Sequence, residues 1–169
     1  MPVTREDFVE QSVQTYVKRQ LFDVRGYPTD VIDLLETDAF DENMFGAQEE
    51  IEKNHVAQGY DFDDDGKQAE LGSSLVRRQY TFEFFVMGIS SVWARNIAQA
   101  IKFAVEQDGI IPLLDIMDTA AAPNWPRIDS LMLVAVSANR VMIEDPAPWQ
   151  RHIWVTRVRV EDEYDARLT

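Results

Sequence analysis

Apolar side chains recur every three or four positions at the start of the chain and every second position near its middle, which predicts helix first and strand later. Phe8, Val9, Val13, Tyr16, Val17 and Leu21 follow helical spacing, with Glu10, Gln14 and Lys18 opposite them. Thr4 with Asp7 three positions on reads as a capping box, and Val3 with Phe8 as a hydrophobic staple. The pattern predicts a helix over about 4–21. Gly26, Pro28 and Asp30 supply turn chemistry after it, and 31–35 reads as a short strand. A weak helix or short strand is expected around 51–58.

Over 75–87, Val76, Tyr80, Phe82, Phe84 and Val86 fall on one face and Arg77, Gln79, Thr81 and Glu83 on the other. This period of two, rich in β-branched and aromatic residues, predicts the strand that anchors the core. Phe85 and Met87 make both faces apolar near its end, so the second face should be covered there. After Gly88, Ser90 or Ser91 can cap a second helix, about 91–107, with a stripe of Trp93, Ile97, Ala100, Ile101, Ala104 and Val105. Asp108-Gly109 stops it.

Residues 110–114 predict a short strand in which Pro112 marks an edge or bulge. Residues 120–126 form a loop, and 130–137 with 140–144 read as a hairpin turning at Ala138-Asn139. The last strand is expected over 150–164, with Trp154, Thr156, Val158, Val160 and Tyr164 on one face and Arg151, Arg157, Arg159, Glu161 and Glu163 on the other. This order lacks regular β-α-β alternation. The expected fold class is α+β: a mostly antiparallel sheet packed by two main helices, in one domain over 1–169 with an acidic irregular segment at about 36–74.

The chain is strongly acidic. The net charge is −14, and between Asp33 and Asp65 twelve acidic residues stand against one lysine, Lys53. A surface this acidic repels nucleic acid overall, so adhesive DNA binding is not expected, whereas a wall past which DNA slides is compatible. No stretch approaches the ~20 consecutive apolar residues of a membrane span, and the first seven residues lack the order of a secretory signal, so synthesis in a cytoplasm is expected. The chain has no cysteine, which removes disulfides, thiolate metal sites and cysteine nucleophiles.

Motifs for catalytic chemistry are sparse in the sequence. Asp61, Asp63 and Asp65 with Gly66 resemble the opening of a calcium loop, but the twelfth position is Gly72, not a bidentate glutamate, and the sequence after it alternates as a strand. A polar connection turning at Asp65-Gly66 is the simpler reading. His55 and His152 lack zinc-ligand spacing, and His152 reads as a hydrogen-bonded structural histidine. Gly88-Ile89-Ser90-Ser91-Val92 lacks the closing glycine of a nucleophile elbow. Glu161-Asp162-Glu163 reads as solvated, and Asp115 and Asp118 as loop caps. No catalytic, cofactor or metal residue is assigned, and no enzyme is expected. Trp125, between Pro123 and Pro126, and Trp149, after Pro148, read as local packing or as interface anchors.

The run 64–75 leads directly into 80–88, and Trp93-Ala94-Arg95-Asn96, 101–104, 110–115, 148–157 and 160–164 follow in order. Over about 61–164 this arrangement resembles the tail terminator proteins of long-tailed bacteriophages, in particular those infecting actinobacteria. The resemblance implies a virion protein forming a hexameric ring on the head-proximal end of the tail tube. Such a ring stops tube elongation and joins the tail to the head-side connector. Its implied partners are its own copies, the major tail tube protein and the connector or stopper, with DNA passing the lumen unbound. Ring closure needs a head-to-tail interface. Arg77, Arg78, Arg157 and Arg159 against the acidic stretch are a candidate pairing between neighbours, and Asp61, Asp63, Asp64 and Asp65 are candidate lumen residues. A neighbouring neck component is the alternative within the same class; a small soluble enzyme or metal-binding domain is the alternative outside it.

Overall fold

The computed structural model describes residues 2–35, 53–61, 67–68, 74–146 and 150–168. Helix α1 spans Arg5–Arg19. The Thr4 hydroxyl accepts from the Asp7 amide, while the Asp7 carboxylate accepts from the Thr4 amide at 2.6 Å, so the capping box forms as expected. The helical run continues through a π-turn, Gln20–Val24, and ends before Gly26 at φ +72°. Helix α2 spans Ser91–Asp108. Ser90 caps its start, accepting from the Trp93 amide at 3.3 Å, and Gly109 closes it in the left-handed conformation at φ +67°.

Among the described residues seven strands form one sheet: β1 (Ile32–Leu35), β2 (Asn54–Asp61), β3 (Lys67–Gln68), β4 (Leu75–Met87), β5 (Ile110–Leu114), β6 (Arg127–Val141) and β7 (Ile153–Asp165). The order across the sheet is β1-β2-β4-β7-β6-β5, with β3 also on β4, and only β1 with β2 is parallel. The α+β class and the mostly antiparallel sheet are therefore as the pattern predicts.

Both helices contribute to one core on one face of this sheet. Val9, Val13, Val17 and Leu21 of α1 and Ile97, Ile101 and Val105 of α2 cluster with Tyr80, Phe82, Phe84 and Val86 of β4 and with Val158 and Val160 of β7. Fully burying each such side chain contributes about 1.5–3 kcal/mol. Gly88 lets the chain turn from β4 into α2: a Cβ there would lie 2.6 Å from both the Ala94 amide nitrogen and the Ser90 carbonyl oxygen. Asn54 ties β2 into this corner. Its side chain donates to the Val31 carbonyl at 3.2 Å and accepts from the Ile89 amide at 3.0 Å.

Several expectations need correction. The two strands placed at 130–137 and 140–144 are one strand, β6, running straight through Ala138-Asn139. The irregularity lies earlier, as a register shift between Leu133 and Ala135. Pairing along β7 overrides the turn preference of Asn139, and the extra residue of the bulge flips which side chains face the helices. Leu131 and Leu133 face them before it; Val136 and Ala138 do so after it. β7 begins at Ile153, not at 150. β2 and β3 run in the same direction along β4, and the turn expected at Asp65-Gly66 lies outside the described residues.

Candidate functional site: the assembly surfaces

β4 and β7 pair in full register, which places chemically matched side chains opposite each other on the face away from the helices. Arg77 opposes Glu163, Gln79 opposes Glu161, Thr81 opposes Arg159 and Glu83 opposes Arg157. Each pair is joined: Arg77 Nε to Glu163 at 2.5 Å, Gln79 to Glu161 at 3.3 Å, Arg159 to Thr81 at 3.4 Å and Arg157 Nε to Glu83 at 2.7 Å. Opposite charges across strands contribute roughly 0.2–1 kcal/mol each and hold an exposed face in one pattern. Towards the other end of this face Met87, Ile153, Val155 and Ala57 are buried, in line with the covered second face expected at Phe85 and Met87.

Asp162 contradicts the solvated reading of Glu161-Asp162-Glu163. It faces the helices and is fully buried, while Glu163 on the opposite side is exposed. Arg5, in the first turn of α1, grips it with two hydrogen bonds at 2.8 and 2.9 Å and lies 5.0 Å from the centre of the Tyr164 ring. Asp129 adds a longer ion contact at 3.9 Å. The Asp162 hydrogen bonds raise the Arg5 pKa against the opposing effect of burial. Nearby, Arg78 bonds Glu6 of α1. Partial burial works against ionisation of Glu6, but its backbone hydrogen bond and Arg78 outweigh it and hold the carboxyl below its ordinary range.

The four candidate interface arginines therefore split. Arg77, Arg157 and Arg159 share the open face, whereas Arg78 faces α1. Arg77, Arg78 and Arg157 each have a carboxylate of this chain within bonding distance, and the acidic stretch 36–52 lies outside the described residues. Asp61 ends β2 opposite Thr81; Asp63, Asp64, Asp65 and Trp149 lie outside the described residues, as does most of the calcium-like segment. Trp125 is half-buried beside a groove of about 540 Å³ between α1 and β1, whose lining includes Gln14, Lys18, Phe22 and Asp33.

A second groove, of about 500 Å³, lies between α1 and β5 and is lined by Tyr16, Arg19, Asp23, Asp108, Ile110 and Pro112, among others. Burial first, and then the 2.6 Å hydrogen bond to Asp108, push the Tyr16 hydroxyl well above its ordinary pKa, so it stays protonated. Ser12 donates to the Phe8 carbonyl and accepts from the Leu114 amide at 2.9 Å, tying α1 to β5. These groups are engaged structurally. Asp115 and Asp118 cap their loop, accepting from the Met117 and Ala121 amides, as expected. The His152 carbonyl accepts from the Gly88 amide, and its buried Nδ1 has no partner among the described residues.

No protein-family model matches this chain, and no curated protein is similar to it. No described helix is long and apolar enough to cross a membrane. Sequence reasoning missed Asp162, because alternation alone places it without revealing that Arg5, 157 residues away, supplies its partner.

Proposed function

We propose that this chain is a structural virion protein of a long-tailed bacteriophage: a tail terminator. Its copies form a ring, a hexamer by resemblance, on the head-proximal end of the tail tube. There they stop tube growth and offer a surface to the head connector. The observation that carries the reading is the unequal use of the sheet. One face is sealed by two helices, whereas the other keeps an ordered array of opposed charges at its exposed end. An array locked within the chain presents fixed charge to a neighbour at little further entropic cost, which suits repeated copies meeting in one geometry. The acidic balance supports a lumen past which DNA slides. The described polar groups support a non-enzymatic role: Ser90 is engaged in capping and Tyr16 in a structural hydrogen bond.

The test is genetic and visual. Deleting the gene from its phage should give heads separated from tails of uneven length, and labelled protein should decorate one end of purified tails. Normal, joined particles after deletion would refute the reading.

A further inference from the structure

We propose that the outer edge of β6 over 135–141 pairs antiparallel with the same stretch of a second copy of this chain. Beyond the reach of β5, which pairs only 127–132, no described strand lies outside this part of β6. The Leu133 amide donates to the Gly109 carbonyl, so before the bulge the odd residues direct their backbone groups towards β5. The bulge shifts this alternation. Past it, Ala135, Ser137, Asn139 and Val141 face the β7 ladder, and Val136, Ala138 and Arg140 direct their N–H and C=O groups outward.

An outward row of backbone donors and acceptors is a template for another strand, and natural edges are ordinarily guarded by charge, proline or shortness. This edge is not. Residues 130–143 contain one charged side chain, Arg140, and no proline, within a chain of net charge −14. Val134 and Met142 at its two ends are 46% and 77% exposed. Two copies of so acidic a chain repel over most of their surface. Here they can approach with no carboxylate opposed to another. The stretch is also its own complement. With a twofold axis at Ala138, Val136 meets the stem of Arg140, Ser137 meets Asn139 and Ala135 meets Val141, so like polarity faces like and no charge opposes itself. A foreign strand would have to supply that match separately, which favours a second copy.

This contact goes beyond the ring reading and does not depend on it. The experiment is light scattering after size exclusion, over a range of protein concentration, on the full chain. The wild type should form dimers. Ala138→Pro removes an outward amide while leaving the β7 ladder intact, and should give monomers. Because a proline could also unsettle the fold, two double variants on the exposed face decide independently. S137E with N139E sets like charges across the contact and should weaken dimerisation roughly two- to thirtyfold. S137K with N139E sets opposite charges there and should tighten it. Ala138→Cys, the only thiol in the chain, should cross-link to its twin under mild oxidation, since paired Cα atoms about 5.5 Å apart suit a disulfide. A wild type monomeric at every concentration overturns the proposal. So does a dimer indifferent to both double variants. Failure here with tails of uneven length after gene deletion would leave the ring reading standing.

Discussion

The two faces of the β4–β7 pair share one backbone, one register and nearly the same sequence span, yet they are held by different physics. Towards the helices lie Tyr80, Phe82, Phe84, Val158 and Val160, all buried. Towards the outside lie Arg77–Glu163, Gln79–Glu161, Thr81–Arg159 and Glu83–Arg157. The inner row draws its energy from removal of apolar surface from water, which is large and indifferent to salt. The outer row draws little energy from pairs that water and ions screen, but it fixes where each charge stands. Asp162 is the exception that joins the two: a charge in the inner row, tolerable only because Arg5 follows it in.

Mutations sharpen this contrast in order of size. Phe82→Ala, in the middle of the inner row, should cost about 3–5 kcal/mol in denaturant unfolding. A loss under about 1 kcal/mol would mean that the core is not organised around β4. Asp162→Ala strands the Arg5 guanidinium. Because Arg5 keeps 20% of its side-chain exposure, the expected cost is at or below the low end of the 3–5 kcal/mol range typical of broken buried pairs, roughly 2–3 kcal/mol. Replacing both, R5M with D162L, should recover much of that loss; a double variant no more stable than Asp162→Ala would refute the pairing. Ser12→Ala removes the acceptor of the buried Leu114 amide and should cost about 1–3 kcal/mol.

The outer row should respond far less. A double-mutant cycle on Glu83 and Arg157 should give a coupling of about 0.2–1 kcal/mol that shrinks as salt rises. A coupling unchanged in molar salt would mean that this face is covered. The smallest signal is a slope with pH at His55, on β2 between β1 and β4. Burial, opposed by Asp33, lowers its folded pKa below the ordinary 6.5. The unfolded chain then binds the proton more readily, so stability falls as pH drops through 6.5 and levels off below the folded value. His55→Gln should flatten that slope in unfolding curves taken at successive pH values, and an unchanged slope would assign it to other groups.

Much of this was legible from local pattern. The capping box at Thr4 and Asp7, the Ser90 cap, the Gly109 stop and the alternation along β4 are each written within a few residues, and each is found where its own chemistry puts it. Other features depend on which segments meet. Ala138-Asn139 carries a turn signal, yet pairing with β7 along the whole of β6 keeps it extended. Asp162 and Glu163 are adjacent and alike, yet one is buried on Arg5 and the other stands outside on Arg77.

The element types, their caps and the two-sided character of the central strand follow from neighbours in the chain and are written in the amino-acid order. The order of strands, the bulge that reverses the faces of β6, and the partner of each buried charge emerge from folding in three dimensions. Those outcomes depend on contacts between residues far apart in sequence, whose energies no local window contains.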